Sequence, residues 1–169
     1  LPMREADVAI RMKEPSQADL IRKRLMSVRM RLYASQSYLE THGKPETLKD
    51  LTVHRLICQN VTSEQVGAGA SFVTSLLAND ITKMLYVNNY FGVLQAVSHD
   101  LGIGVLPDYL MQDFPDLVRV GPEIESAEVP VYLAFPEELR QSKRIAAFRD
   151  FVQEEIILHR KQLREKDIS

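Results

Sequence analysis

The sequence predicts an α/β protein built on a mixed sheet, and three observations carry that expectation. Short apolar runs of strand length, such as Val8-Ala-Ile10, Leu56-Ile-Cys58 and Ile103 to Leu106, alternate with stretches of helical spacing. The polar pair Asn88-Asn89 opens one such stretch, in which Val93, Leu94, Val97 and Leu101 recur three and four residues apart. Gly102-Ile-Gly-Val-Leu-Pro107 then returns the chain to a buried strand. Strand ends beside helix starts form the crevice in which open α/β sheets bind small ligands.

Asp7 to Ile10 reads as an interior strand ending in the polar Arg11, and a chain that opens almost inside such a strand is expected to lack its upstream part. The stretch from Lys13 to Asp19, with Pro15, reads as a loop. Leu20 to Leu25 and Val28 to Ala34 are expected strands; in the second, Val28, Met30 and Leu32 alternate with Arg29, Arg31 and Tyr33. Ser35 or Ser37 can cap a short helix through Tyr38-Leu39 that Gly43 closes. A turn of helix is expected over Pro45 to Leu51, and a strand near Leu56 to Cys58.

Val61 to Ser71, with Gly67-Ala-Gly69-Ala, reads as a loop, and Phe72 to Leu77 and Met84 to Val87 as strands joined by an Asn79-Asp80 turn. Tyr90 to His99 is a helix that Gly102 stops. A short helix at Asp108 to Gln112, strands at Leu117 to Val120 and Val129 to Phe135, and a long helix from about Ser142 complete the chain. Ile145, Phe148, Val152 and Ile156 form the apolar stripe of that last helix. Two lobes are expected, with the chain crossing near Ala34-Ser35 and back near Glu128 to Val131.

Composition narrows the function. The 169 residues are 45% hydrophobic and 26% charged, with a net charge of -2, an unpromising balance for a surface that neutralises phosphates. No apolar run approaches the roughly 20 residues of a membrane span, and Leu1-Pro-Met3 leads into charged Arg4-Glu5 rather than an apolar leader. The single Cys58 allows no internal disulfide and fits a reducing compartment; plain burial is its expected role.

Motifs for catalysis are missing. His42, His54, His99 and His159 lie far apart in no metal-ligand spacing, so no metal is expected. Gly67-Ala-Gly69 and Gly102-Ile-Gly104 complete neither a dinucleotide fingerprint nor a phosphate loop. The second reads as a helix stop with a close backbone approach. No serine stands in a nucleophile elbow, and neither Asp7 nor Asp100 has a partner suited to acid–base work. Arg22-Lys-Arg24 with Arg29 and Arg31 could be a nucleic-acid stripe or solvated strand faces; the acidic balance and the missing aromatic interleaving favour the latter.

In their order, Asp7-Val-Ala-Ile-Arg11, Leu32-Tyr-Ala-Ser35, Tyr38-Leu39, Gly43-x-Pro45 and Leu48-x-Asp50-Leu51 with His54 resemble the effector-binding domain of LysR-type transcriptional regulators. Asn88-Asn89, Leu101-Gly-Ile-Gly-Val-Leu-Pro107-x-Tyr109-Leu110, Pro130-Val-Tyr-Leu133 and Ser142 through Ala147-Phe148 to Phe151 extend the resemblance over nearly the whole chain. Gln36 stands where that family usually has proline, and no tryptophan occurs in the region of Val66 to Phe72 where many members carry one.

The resemblance implies two α/β lobes like those of periplasmic solute-binding proteins, with mixed sheets, flanking helices and an incomplete first lobe. Residues 1–34 and 131–169 would form the first lobe and residues 35–130 the second. It implies an effector between the lobes, with Arg11 and Met12 on the first and Asn88, Asn89, Tyr90, Gly102, Ile103 and Gly104 on the second, and hinge positions at Ser35 and Pro130. A helix N-terminus attracts a carboxylate, so Asn88-Asn89 could mark an anion site; either asparagine could equally be an ordinary cap, and Arg11 could point into water.

The function expected is effector sensing and oligomerisation, without catalysis or cofactor, in a cytoplasmic dimer or tetramer. Such a protein would reach DNA only through a helix-turn-helix outside this chain and would not contact a membrane. The alternatives are a transporter's solute-binding protein and, third, an enzyme on the same scaffold.

Overall fold

A computed structural model describes residues 6–12, 14–60 and 68–166. It divides into two compact units, one of Leu1–Ser27 with Pro130–Ser169 and the other of Val28–Val129. The chain therefore changes unit at 27/28 and 129/130 rather than at 34/35 and 130/131. The first difference has a plain cause: Met30–Ser35 hydrogen-bonds on both sides within the second unit's sheet, which leaves no strand of the first beside it.

The first unit holds a three-stranded sheet in the order β1-β8-β2, where β1 is Ala9–Arg11, β2 is Leu20–Val28 and β8 is Val129–Pro136. Strand β8 is central, and Leu133 and Ala134 have no exposed surface. Leu133 and Phe135 pack against Ile145 of the closing helix α4, Lys143–Lys166, with Val8, Ile21, Leu25 and Leu139 around them. Among the described residues β1 is a three-residue edge strand paired only with β8, and Ile10 is 51% exposed. The expected stripe of α4 is narrower than its spacing suggested: Ile145 is buried, Val152 and Ile156 are half-buried, and Phe148 is exposed.

The second unit holds a five-stranded sheet in the order β5-β4-β6-β3-β7. Its strands are β3 (Met30–Ser35), β4 (Leu56–Gln59), β5 (Met84–Val87), β6 (Ile103–Pro107) and β7 (Leu117–Glu125). Strands β4, β5 and β6 are parallel, whereas β3 runs antiparallel to β6 and β7. The fold is thus mixed α/β, as expected. Helix α3, Tyr90–Ser98, presses Val93, Leu94 and Val97 onto Tyr33, Ile57 and Leu106 of the sheet.

Helix α1, Gln36–His42, follows the sequence closely: Ser35 is its cap, its hydroxyl accepting from the Tyr38 N–H at 3.1 Å, and Gly43 ends it at φ 83°. The turn of helix near Pro45 forms at Asp50–Val53.

Two further expectations fail. Phe72 to Leu77, read as a strand, lies within helix α2, Ala68–Leu77. Phe72 and Leu76 are both buried, one helical turn apart, and the Thr74 and Ser75 hydroxyls donate back to the carbonyls of Ala70 and Phe72. The expected loop across Val61 to Ser71 gives way to this helix from Ala68 onward, and residues 61–67 lie outside the described ones. Helix α3 stops at Ser98, before Gly102, and Asp100 takes the left-handed conformation at φ 62°.

Candidate functional site

The carboxyl edge of the parallel strands is where the second unit can hold a ligand. Strand β4 lies between β5 and β6, so the chain leaves β4 for β5 on one side and returns from β5, across β4, to β6 on the other. Such a reversal opens a crevice at the strands' carboxyl ends. Gln59 ends β4 there, Asn88 and Asn89 follow β5, and Asp108 and Tyr109 follow β6. The pieces are tied together: the Asn60 N–H donates to the Val87 carbonyl at 2.7 Å, and the Gln59 side-chain amide to the Asn88 carbonyl at 3.3 Å.

Helix α3 starts at this edge. Asn89 is its cap, with its side-chain oxygen accepting from the Gly92 N–H at 2.8 Å. The Asn89 side-chain amide donates to the Asn88 side-chain oxygen at 2.9 Å, which leaves Asn88 exposed and outside the cap. A helix has no carbonyls of its own for its first N–H groups, here those of Tyr90 and Phe91, and they carry its partial positive charge. Tyr90 is half-buried beside Cys58 and Tyr109, and burial pushes its phenol up to about 12, so it stays a neutral donor. Burial also pushes the Cys58 thiol up to about 12, which makes it an inert core side chain.

Gly102, Ile103 and Gly104 do not join this edge. Ile103 pairs with Leu56 and Gly104 with Ile57, so they sit at the amino end of the parallel strands. At about 3.3 Å per residue, that is roughly 10 Å from the level of Gln59. Packing explains both glycines. A Cβ on Gly102, whose φ is 154°, would meet the Arg55 carbonyl oxygen at 2.5 Å, and one on Gly104 would meet a Val97 methyl at 2.4 Å. The expected close approach is present, but it is between elements of the fold.

The remaining expected residues divide as follows. Arg11 ends β1 opposite Tyr132, and Met12 follows in a bend; both are half-buried in the first unit. Pro130 is the first residue of the returning segment. Ser35 is inside the second unit, 6% exposed, and holds the start of α1 rather than a crossing. Its hydroxyl donates to the Asp100 carboxylate, as does that of Ser37. Sequence reasoning missed Gln59 and Tyr109, whose signal was that each stands at or just past the end of an apolar strand.

The arginines have partners. Arg31 meets Glu125 at 2.9 Å and Asp108 at 3.6 Å, Arg119 meets Glu125 at 2.9 Å, and Arg29 meets Glu125 at 3.4 Å. Arg22 reaches Glu14 at 3.5 Å and the Pro15 carbonyl at 2.9 Å. Arg29 and Arg31 thus belong to an ion cluster rather than to a plain solvated face. Among the described residues, no group of three His, Cys, Asp or Glu could hold a metal ion, and no helix is long and apolar enough to cross a membrane.

Comparison with known proteins decides the family. The model of the LysR substrate binding domain matches residues 1–156. The chain belongs to the LysR substrate-binding domain family. A probable HTH-type transcriptional regulator LtrA of Klebsiella pneumoniae is 29% identical over 158 residues, covering 89% of this chain and 50% of that protein. An uncharacterized HTH-type transcriptional regulator of Haemophilus influenzae is 24% identical over 133 residues, covering 77% of this chain and 46% of its own length. The chain thus spans about half the length of the curated relatives it matches. Among solved structures, the regulatory domain of CrgA, a LysR-type regulator from Neisseria meningitidis, superposes with a TM-score of 0.73 at 20% identity, covering 90% of this chain and 76% of that one. The regulatory domain of AphB from Vibrio vulnificus gives 0.61 at 24% identity, covering 90% and 76%. These likenesses agree with the two-lobed, periplasmic-binding-protein-like fold class. With relatives named as transcriptional regulators, the transporter alternative is not favoured.

Proposed function

We propose that this LysR effector-binding domain senses a small anion, most simply a carboxylated metabolite, and serves a cytoplasmic, oligomeric, non-enzymatic regulator that reaches DNA through a helix-turn-helix outside this chain. The observation that carries the ligand reading is the start of α3 at the carboxyl edge of three parallel strands. There the free N–H groups of Tyr90 and Phe91, the Asn88 side chain and the Gln59 amide offer donors, as a carboxylate requires. Tyr90 and Tyr109 would supply an aromatic wall with neutral hydroxyls. Gly102, Ile103 and Gly104 are no part of the proposed site.

The proposed role of Arg11 rests on the family resemblance, not on its surroundings in the first unit. A charge-assisted contact contributes roughly 1.5–3 kcal/mol, or about ten- to a hundredfold in affinity. The test is calorimetric titration of the complete regulator with a panel of small mono- and dicarboxylates. The expected result is saturable binding of one of them, weakened ten- to a hundredfold by Arg11→Ala and less by Asn88→Ala. Binding only of uncharged compounds, or a carboxylate affinity unmoved by both variants, overturns the reading.

A further inference from the structure

Helix α1 is joined to the segment that follows it by one buried pair of side chains. Tyr38, 4% exposed, places its hydroxyl 3.0 Å from Nδ1 of His54, which is 5% exposed. His54 ends the short turn Asp50–Val53 and stands two residues before β4. On the other side of Tyr38, His42 stacks with ring centroids 4.3 Å apart and an angle of 15° between planes, and its Nδ1 is 3.2 Å from the Tyr38 carbonyl.

A neutral His54 ring with its proton on Nε2 can accept at Nδ1 from the Tyr38 hydroxyl. In that arrangement the hydroxyl's one proton lies toward His54 Nδ1. Adding a proton at Nδ1 sets N–H against O–H. The hydroxyl must turn, and its proton is left without an acceptor in a buried position.

We propose that Tyr38 and His54 form an acid-sensitive latch that holds α1 against the turn and strand after it. The groups facing it decide the direction. Burial comes first and disfavours the imidazolium; His42 on α1 and Lys83 before β5 add cationic repulsion, and only Asp50 on the turn opposes them. Arg55, at the start of β4, adds a further cation beside Tyr38. Asp100, which follows α3, is bonded by Ser35 and Ser37 at the start of α1, and those hydrogen bonds hold its carboxyl below the ordinary value of 3.8.

His54 is thus held below its ordinary value of 6.5. A histidine lowered in the folded state binds its proton more readily when unfolded. Its contribution to stability is complete above about 6.5 and is lost as pH falls from there through the lower folded value. The latch does not depend on the effector reading and can fail or hold independently of it.

The test is imidazole NMR of the full chain over pH 7.5 to 5, with amide exchange of α1 measured relative to intrinsic rates. The expected result is His54 as the Nε2–H tautomer, titrating below 6.5, with exchange protection across Tyr38 to His42 falling several-fold, to a ceiling of about tenfold, between pH 7.5 and 5.5. An Nδ1–H tautomer, titration at or above 6.5, or unchanged protection overturns the proposal. His54→Asn keeps an acceptor near the Nδ1 position but cannot titrate, so its α1 protection should be flat over the same range. If that variant loses protection like the parent, another group is the sensor and the latch is refuted; if it fails to fold, the tautomer and titration of the parent still decide.

Discussion

Arg29 and Asp108 are joined twice through the main chain. The Asp108 N–H donates to the Arg29 carbonyl at 2.9 Å, and the Asp108 carboxylate accepts the Arg29 N–H at 3.2 Å. Next to them the buried Ser126 hydroxyl accepts from the Met30 N–H at 2.9 Å, while the Ser126 N–H donates to the Met30 carbonyl at 2.9 Å. The entry to β3 is therefore fastened on one side to the end of β6 and on the other to the end of β7. With Glu125 gathering Arg29, Arg31 and Arg119, this corner fixes where the chain passes into and out of the second unit.

Asp108→Ala should destabilise the second unit by about 1–3 kcal/mol, because it leaves the Arg29 N–H without its acceptor and Arg31 without one of its two carboxylates. Asp108→Asn, which keeps an acceptor, should lose less. Urea unfolding of both variants checks the order.

Acid should loosen the same corner. Hydrogen bonding from Arg31, then the charges of Arg31, Arg29 and Arg119, hold the Glu125 carboxyl below its ordinary value of 4.5. A carboxylate lowered in the folded state stabilises it above that value and loses the contribution as pH falls through the folded one. Glu125→Gln should therefore be less stable than the parent at neutral pH, with the gap closing as pH falls from 4.5 through the lower folded value. Melting temperatures measured from pH 7 to 3 would show the convergence.

Gly104→Ala and Gly102→Ala should each cost about 1–3 kcal/mol of stability through overpacking. In whatever fraction remains folded, effector affinity should be preserved, since these residues lie at the far end of the strands from α3's start. A fully stable Gly104→Ala protein with lost binding would restore these residues to the site. Thermal melts paired with titration separate the two outcomes.

Asn89 and Asn88 should behave differently despite being adjacent. Asn89→Ala removes a helix cap and should cost about 1 kcal/mol, whereas Asn88→Ala should leave stability within about 0.5 kcal/mol. Denaturant midpoints of the two variants are sufficient to tell.

Much of this fold was legible because its signals are local. Ser35 before α1, Gly43 after it and the Asn88-Asn89 pair before α3 each act on the next few residues, and each is where the sequence placed it. Helix α2 was hidden because Phe72-Val-Thr is β-branched and aromatic, while its opening Ala-Gly-Ala reads as a loop; burial of Phe72 and Leu76 on one face overrode both preferences. The site was half legible. A sequence shows that Gly102 to Gly104 borders a strand, but only the pairing of Ile103 with Leu56 tells which end of the sheet that is. The Glu125 cluster was invisible for a similar reason, since its members are brought together by the register of β3 with β7.

A small anion seated at the start of α3 would be felt first by the backbone there. Backbone NMR of the complete effector domain during titration with the carboxylate that binds tests it most directly. The largest shifts are expected on the amides of Tyr90 and Phe91, with smaller ones at Gln59 and Asn88, saturating together with the calorimetric curve. Saturable binding that leaves those four residues unmoved while shifting others would contradict it.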